Sequence, residues 1–163
     1  MIEFCAVSSK KDLLAIEEMA STIWREHYIP IVGRLQVEYM LANFQSAESM
    51  KEQIKEGSIY YILKLEELPI GYLSFRVESE TLFLSKIYIL SEYLGKKFGK
   101  SAMLFVEQKG KEAGCSELYL TVNKNNKNSI IAYTKIGFQN IGPRITDIGS
   151  GFIMDDYKML KQL

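Results

Sequence analysis

The sequence predicts a mixed α/β fold of the α+β kind, a central mixed sheet with helices on both faces, built as a single domain over residues 1–163. Three observations predict it. The first third of the chain carries apolar residues at helical spacing, Ile59 to Ile89 changes to β-branched and aromatic runs, and the remainder alternates helix with strand. No Pro/Gly/Ser-rich linker, repeat or low-complexity tract divides the 163 residues, and the prolines stand singly at Pro30, Pro69 and Pro143. A composition of 47% hydrophobic and 25% charged residues supports one buried core and excludes disordered, collagen-like and disulfide-scaffold classes.

Each element has its own local reason. Ile2 to Val7 alternates apolar and polar residues as a short strand, and Lys11 to Glu26 carries Leu13, Leu14, Ile16, Glu17, Met19, Ala20, Ile23 and Trp24 at helical spacing, with Ser9 or Lys10 at its start. Tyr28 to Gly33 reads as a loop and Leu35 to Phe44 as a helix; Ser46 opens another, with Glu48 in its first turn and Gly57 at its end. Ile59 to Leu65 and Ile70 to Val77 form an antiparallel hairpin across Glu66-Glu67-Leu68-Pro69, and Thr81 to Ile89 extends it. Phe98 to Ala113 is a helix stopped by Gly114, Leu118 to Val122 a strand, Asn126 to Ile136 a helix, and Phe138 to Ile141 with Phe152 to Leu160 a final strand pair. A strand-helix-strand unit predicts a parallel pair at Ile87 and Leu118.

Charge and special residues narrow the function classes. Twenty Lys and Arg balance twenty Asp and Glu, so no whole-molecule field gathers nucleic acid or an anionic membrane. The longest apolar runs, such as Ile87 to Leu90, fall far short of the ~20 residues a membrane span needs. The start, Met1-Ile2-Glu3-Phe4-Cys5-Ala6, shows neither a basic region nor an apolar core of signal-peptide length. Cys5 and Cys115 match neither a disulfide framework nor a zinc spacing, and with one histidine the soft ligands are too few for a metal cluster. A reducing, cytoplasmic setting is expected.

The segment from Leu84 to Leu104 carries chemistry. A strand ending near Ile89 is followed by a loop with Gly95, Gly99, Lys96, Lys97 and Lys100, and a helix begins around Phe98 and runs through Ser101. A helix start offers unpaired N–H groups and about half a positive charge, glycines let backbone N–H groups approach an anion, and the lysines add charge. The loop therefore reads as a phosphate site or as a basic surface turn. Gly99-Lys100-Ser101 resembles the end of a P-loop, but that motif requires glycine five residues before Gly99, where Leu94 stands.

In the second segment, Leu118 to Phe138, a strand ends in an Asn-rich turn and a helix carrying Tyr133 closes at Gly137. Together the two segments resemble the GNAT superfamily of acetyl-CoA-dependent N-acetyltransferases. That family has a Gln/Arg-x-x-Gly-x-Gly/Ala loop after a strand, and later an Asn-x-x-Ala turn with a helix ending Tyr-x-Lys-x-Gly-Phe. Asn126, Tyr133, Lys135, Gly137 and Phe138 match the second pattern, with Ser129 in place of alanine. In the loop, Leu94 stands where Gln or Arg is usual, Lys97 replaces the first glycine, and Gly99 keeps its place.

The resemblance implies a mostly antiparallel central sheet, acetyl-CoA as co-substrate and direct attack by an amine in a ternary complex. It implies a backbone N–H from Ile87, Tyr88 or Ile89 to polarise the thioester carbonyl. The stretch Leu94, Gly95, Lys96, Lys97, Phe98, Gly99, Lys100 and Ser101, together with Asn126, is implied to bind the cofactor, and Tyr133 to give the leaving thiolate its proton. No base is evident; Glu26 and His27 lie beside the stretch that borders the acceptor in such enzymes. Glu26 to Gly33 and Met154 to Tyr157 are reminiscent of bacterial small-molecule acetyltransferases, some acting on polyamines. Asp155 and Asp156 are expected in a solvated turn or as an attractor of a cationic amine. A homodimer through the C-terminal strands is expected. A noncatalytic acyl-CoA-binding module and acetylation of a protein or peptide amine stay as alternatives.

Overall fold

The computed structural model describes all of Met1–Leu163, and its first turn of helix shows why a strand gives way there. After β1 (Ile2–Ala6), the Ser9 hydroxyl accepts the Asp12 N–H at 3.2 Å and caps α1 (Lys10–His27). The expected loop at Tyr28 to Gly33 is instead the short helix α2 (Ile29–Val32): Pro30 sits in its first turn, where a missing N–H costs nothing, and Gly33 ends it with φ of 87°. α3 (Arg34–Phe44) follows, and Ser46 caps α4 (Ala47–Lys55) through the Ser49 N–H at 3.1 Å.

β2 (Ile59–Leu65) and β3 (Leu68–Glu78) form the expected hairpin with a shorter turn. Glu66 and Glu67 alone make it, with φ of 49° and 70°, and Pro69 lies within β3, where the register shifts beside Lys64. β4 (Thr81–Ile89) leads through one turn of 3-10 helix at Ser91–Tyr93 to α5 (Phe98–Glu112), then β5 (Glu117–Asn123) and α6 (Lys127–Lys135). β6 (Gln139–Gly149) and β7 (Phe152–Gln162) close the chain. β6 is far longer than the predicted Phe138 to Ile141. Most of its residues are exposed and it contains Pro143, so it lacks the half-buried alternation that marks a strand in sequence.

The seven strands run in the order β1-β2-β3-β4-β5-β7-β6. The β1–β2, β2–β3, β5–β7 and β7–β6 ladders are antiparallel, while β4 and β5 are parallel, with Thr81 to Phe83 paired to Glu117 to Tyr119. The predicted parallel pair exists, but Leu118 faces Leu82 rather than Ile87.

By contacts the chain falls into two compact units, Met1–Arg76 with Lys86–Val106, and Val77–Ser85 with Glu107–Leu163. In the first unit neighbouring residues of β2 show helices on both faces: the Tyr60 hydroxyl donates to Gln53 of α4, while the Tyr61 ring meets Phe105 of α5 edge-on at 4.9 Å. Ile16, Met50, Ile62, Leu63 and Leu73 are sealed in its core. In the second unit Leu82, Leu118 and Met159 are fully buried, and a Cβ at Gly110 of α5 would lie 2.7 Å from Leu163.

Candidate active site

In the first unit, the end of β4 is held by a close backbone approach. Leu90 N–H donates to Ile70 O at 2.9 Å, and a Cβ on the neighbouring Gly71 would sit 2.4 Å from the Tyr88 carbonyl oxygen. Only glycine leaves room there, so Gly71 sets the path of the Ile87, Tyr88 and Ile89 backbone. The sequence reading missed this residue, since an isolated strand glycine signals a close approach without naming the partner.

The loop then turns on two positive φ values. Gly95 has φ of 76° and Lys97 has φ of 66°; Lys97 O accepts Ser101 N–H at 3.1 Å and so begins α5, which carries Phe98, Gly99 and Lys100. A Cβ at Gly95 would meet nothing within 4 Å and one at Gly99 only the Ile89 Cδ1 at 3.9 Å, so neither glycine is demanded by packing of the chain on itself. Lys96 lies 5.8 Å over the Tyr93 ring, and Leu94 is 61% exposed.

The C-terminal end of α1 belongs to this unit too. Glu26 accepts a hydrogen bond from Ser91 Oγ at 3.0 Å, and His27 is exposed with its ring edge-on to Tyr28. Trp24, Tyr28, Tyr72 and Tyr88 form one aromatic cluster. In the same unit Lys86, a residue the sequence reading passed over, is buried without a carboxylate: its Nζ donates to Phe44 O at 2.6 Å and Gln53 Oε1 at 3.0 Å. Burial lowers it to about 7.

In the second unit, β5 ends in an Asx turn, with Asn125 N–H on Asn123 Oδ1 at 2.9 Å, and buried Asn126 opens α6 by giving its N–H to Asn123 O. The helix ends at Gly137, whose φ of 105° lets Phe138 double back. Phe138 N–H then donates to Tyr133 O at 3.1 Å, and its ring meets the Tyr133 ring edge-on at 5.8 Å. That is the physical content of the Tyr-x-Lys-x-Gly-Phe pattern: the glycine turn clamps a phenylalanine onto the tyrosine. Desolvation of the phenol pushes Tyr133 up to about 12.

The expected solvated turn at Asp155 and Asp156 is absent. Both residues lie within β7; Asp155 pairs with Lys124, while Asp156 is only 5% exposed and its carboxyl, chiefly through desolvation, is raised to about 6. Consecutive acidic residues look like a surface signal in sequence, and only the ladder partners reveal that one is enclosed.

A mixed, mostly antiparallel sheet of this order, with a glycine loop leading into one helix and a clamped tyrosine closing the next, defines an acetyltransferase. The chain matches the model of the acetyltransferase (GNAT) family over residues 16–138 and belongs to that family. It is 30% identical over 152 residues to a spermidine N(1)-acetyltransferase of Thermoplasma acidophilum, covering 90% of this chain and 92% of the relative. Its fold is that of the PaiA N-acetyltransferase from Thermoplasma acidophilum, solved in complex with coenzyme A, with a TM-score of 0.82 at 24% identity over 100% and 99% of the two chains. A GCN5-related N-acetyltransferase from Rhodopseudomonas palustris gives 0.81 at 14% identity over 100% and 95%. The chain is an N-acetyltransferase with acetyl-CoA as its co-substrate.

Proposed function

We propose that the chain acetylates a primary amine of a small cationic molecule, of the polyamine class, by direct attack of the amine on bound acetyl-CoA. The loop at Gly95 to Gly99 carries the reading: two left-handed residues turn the chain into a 15-residue helix whose first N–H groups have no partner within the helix, beside glycines that protein packing does not require. Pyrophosphate takes those N–H groups, and Lys96, Lys97 and Lys100 add attraction. A backbone N–H among Ile87 to Ile89 polarises the thioester carbonyl, along the path set by Gly71. The likeness to a spermidine N(1)-acetyltransferase over nine-tenths of the chain supports a cationic amine as acceptor.

Tyr133 serves the departing sulfur. At about 12 its phenol stays protonated through the neutral range. An ordinary thiol lies near ~8.5, so outright transfer of the phenolic proton to the thiolate is uphill by roughly 5 kcal/mol. Its contribution is a hydrogen bond to the charge growing on sulfur, and water supplies the proton that ends on the thiol.

The test is acetyl transfer to a panel of diamines, polyamines, amino acids and a peptide, with thermal protection by acetyl-CoA, CoA and ATP measured alongside. Protection by the CoA species with turnover of the polyamines is expected; protection without turnover of any amine would make the chain a binding module. Tyr133→Phe keeps the ring against Phe138, so acetyl-CoA protection persists while turnover falls roughly 10²- to 10³-fold, the usual loss for one preorganised donor. No alkaline limb from Tyr133 appears below about pH 11.

A further inference from the structure

Resting on that reading of the acceptor, we infer that Glu26 anchors a second ammonium group of the acceptor, whose alkyl chain lies along the Tyr28 and Tyr88 rings on the face of the sheet opposite α5.

Every residue involved belongs to the first unit, Met1–Arg76 with Lys86–Val106, and the two faces of its sheet carry different helices. Tyr61 of β2 meets Phe105 of α5, so α5 covers that face. Tyr60, the next residue, points the other way, and Lys86 of β4 lies 5.1 Å over its ring. Tyr88 stands two residues beyond Lys86 along β4 and therefore shares that second face. There its ring meets Trp24 and Tyr28, at the end of α1, at 5.6 Å and 6.2 Å, and Tyr72 of β3 at 5.4 Å. Tyr88 thus joins two roles: its backbone lies in the stretch that polarises the thioester, and its ring lies in an aromatic cluster on the face away from the cofactor's helix. Trp24 and Tyr72 are sealed, whereas Tyr28 and Tyr88 are half-buried, so these two rings, set edge to face at 87°, are the part of the cluster a ligand can touch.

Glu26 ties the same two segments together a second time. Its Oε2 accepts the Ser91 hydroxyl at 3.0 Å, so the last turn of α1 touches the chain three residues beyond Tyr88. Three residues of extended chain reach at most about 11 Å, which keeps the carboxylate close to the end of β4. That hydroxyl is the one hydrogen-bond partner the fold gives it, and no Lys or Arg pairs with it. Arg25 beside it is held by both Glu38 oxygens, at 2.8 Å and 2.9 Å, Lys96 lies over the Tyr93 ring, and His27 turns its ring edge-on to Tyr28. Glu92, next to Ser91, is exposed and adds a second negative charge.

An exposed carboxylate alone would be an ordinary surface residue. This one is fixed by a hydroxyl and lies beside two phenol rings whose faces are negative, so carboxylate and rings attract the same ammonium group, and the rings also bury the methylenes between the charges. The combination fits an alkyl chain with positive charge at both ends and repels an anionic acceptor.

The test compares wild type, Glu26→Gln, Glu26→Asp, Tyr28→Leu and Tyr28→Phe, each with spermidine and with butylamine, which has no second ammonium. The glutamine still accepts the Ser91 hydrogen bond and loses only the charge. Its melting temperature and its protection by acetyl-CoA should therefore match wild type, while KM for spermidine rises about tenfold, as expected for one lost hydrogen bond between charged groups, and the preference for spermidine over butylamine falls by the same factor. Glu26→Asp keeps the charge and should recover most of that preference. Tyr28→Leu should lower the preference about threefold, and Tyr28→Phe, which keeps the ring, should restore it. A Glu26→Gln preference within about twofold of wild type overturns the inference. So does a Glu26→Gln chain that melts lower and loses turnover of both amines equally, which would make the carboxylate a structural tie between α1 and the end of β4. Wild type that acetylates butylamine as well as spermidine, or no amine at all, overturns the acceptor reading itself and this inference with it.

Discussion

At Lys97 a branched-off side chain occupies a backbone conformation that its own Cβ disfavours. Its φ of 66° is the left-handed region, at the position where the family motif has glycine. The loop has therefore kept the glycine's conformation without the glycine, at a cost of about 1 kcal/mol. Lys97→Gly should recover roughly that much stability, read by urea denaturation; an unchanged or lower value would show that the lysine side chain offsets the strain. The same residue shows why part of the site was legible and part was not. Gly137 could be read because its left-handed turn, with φ of 105°, is a job tied to its own type at a fixed spacing. Lys97 could be seen only as a departure, since a sequence does not display φ. Asp156 was seen and read as a surface residue, because its burial depends on ladder partners in β5 and β6, Asn123 and Arg144, that the sequence alone does not set opposite it.

Among the elements, β4 joins the two kinds of information. Its bounds, Thr81 to Ile89, were readable from β-branched and aromatic residues between turn signals, and so were the caps of α1 and α4. The length of β6 was not, because an exposed strand needs no apolar alternation and its only evidence is the ladder with β7. Nor did the pattern show that Lys86 lies inside, where it ties β4 to the end of α3 and to α4 through Phe44 O and Gln53. That tie has a measurable signature. The unfolded lysine titrates near 10.5 and the folded one at about 7, so between those values the unfolded chain holds the extra proton and stability rises with pH. Lys86→Met lacks that group. Wild type should gain stability between pH 7 and 9.5 relative to Lys86→Met in urea denaturation; parallel slopes would mean that Lys86 keeps its proton in the folded state.

For the molecule as a whole, equal numbers of acidic and basic residues leave no general field to gather substrate, so recognition of a cation falls to local groups. The same balance bears on assembly. β6 is the last strand of the sheet, eleven residues with one edge unpaired, and Ile141, Ile145 and Ile153 of this hairpin are 51%, 64% and 48% exposed. An edge of that length invites a partner. Pro143 removes a ladder donor, and the register shift between Asn140 and Gly142 breaks the edge, so we propose that a second copy docks through these isoleucines rather than by adding a strand. A homodimer formed this way is apolar and insensitive to salt beyond the reach of screening. Sedimentation should show a dimer at low and high ionic strength alike, and Ile141→Lys with Ile145→Lys should convert it to a monomer that keeps its fold. A wild-type monomer at all accessible concentrations would remove the proposal, whereas a dimer that survives both lysines would place the contact on another face.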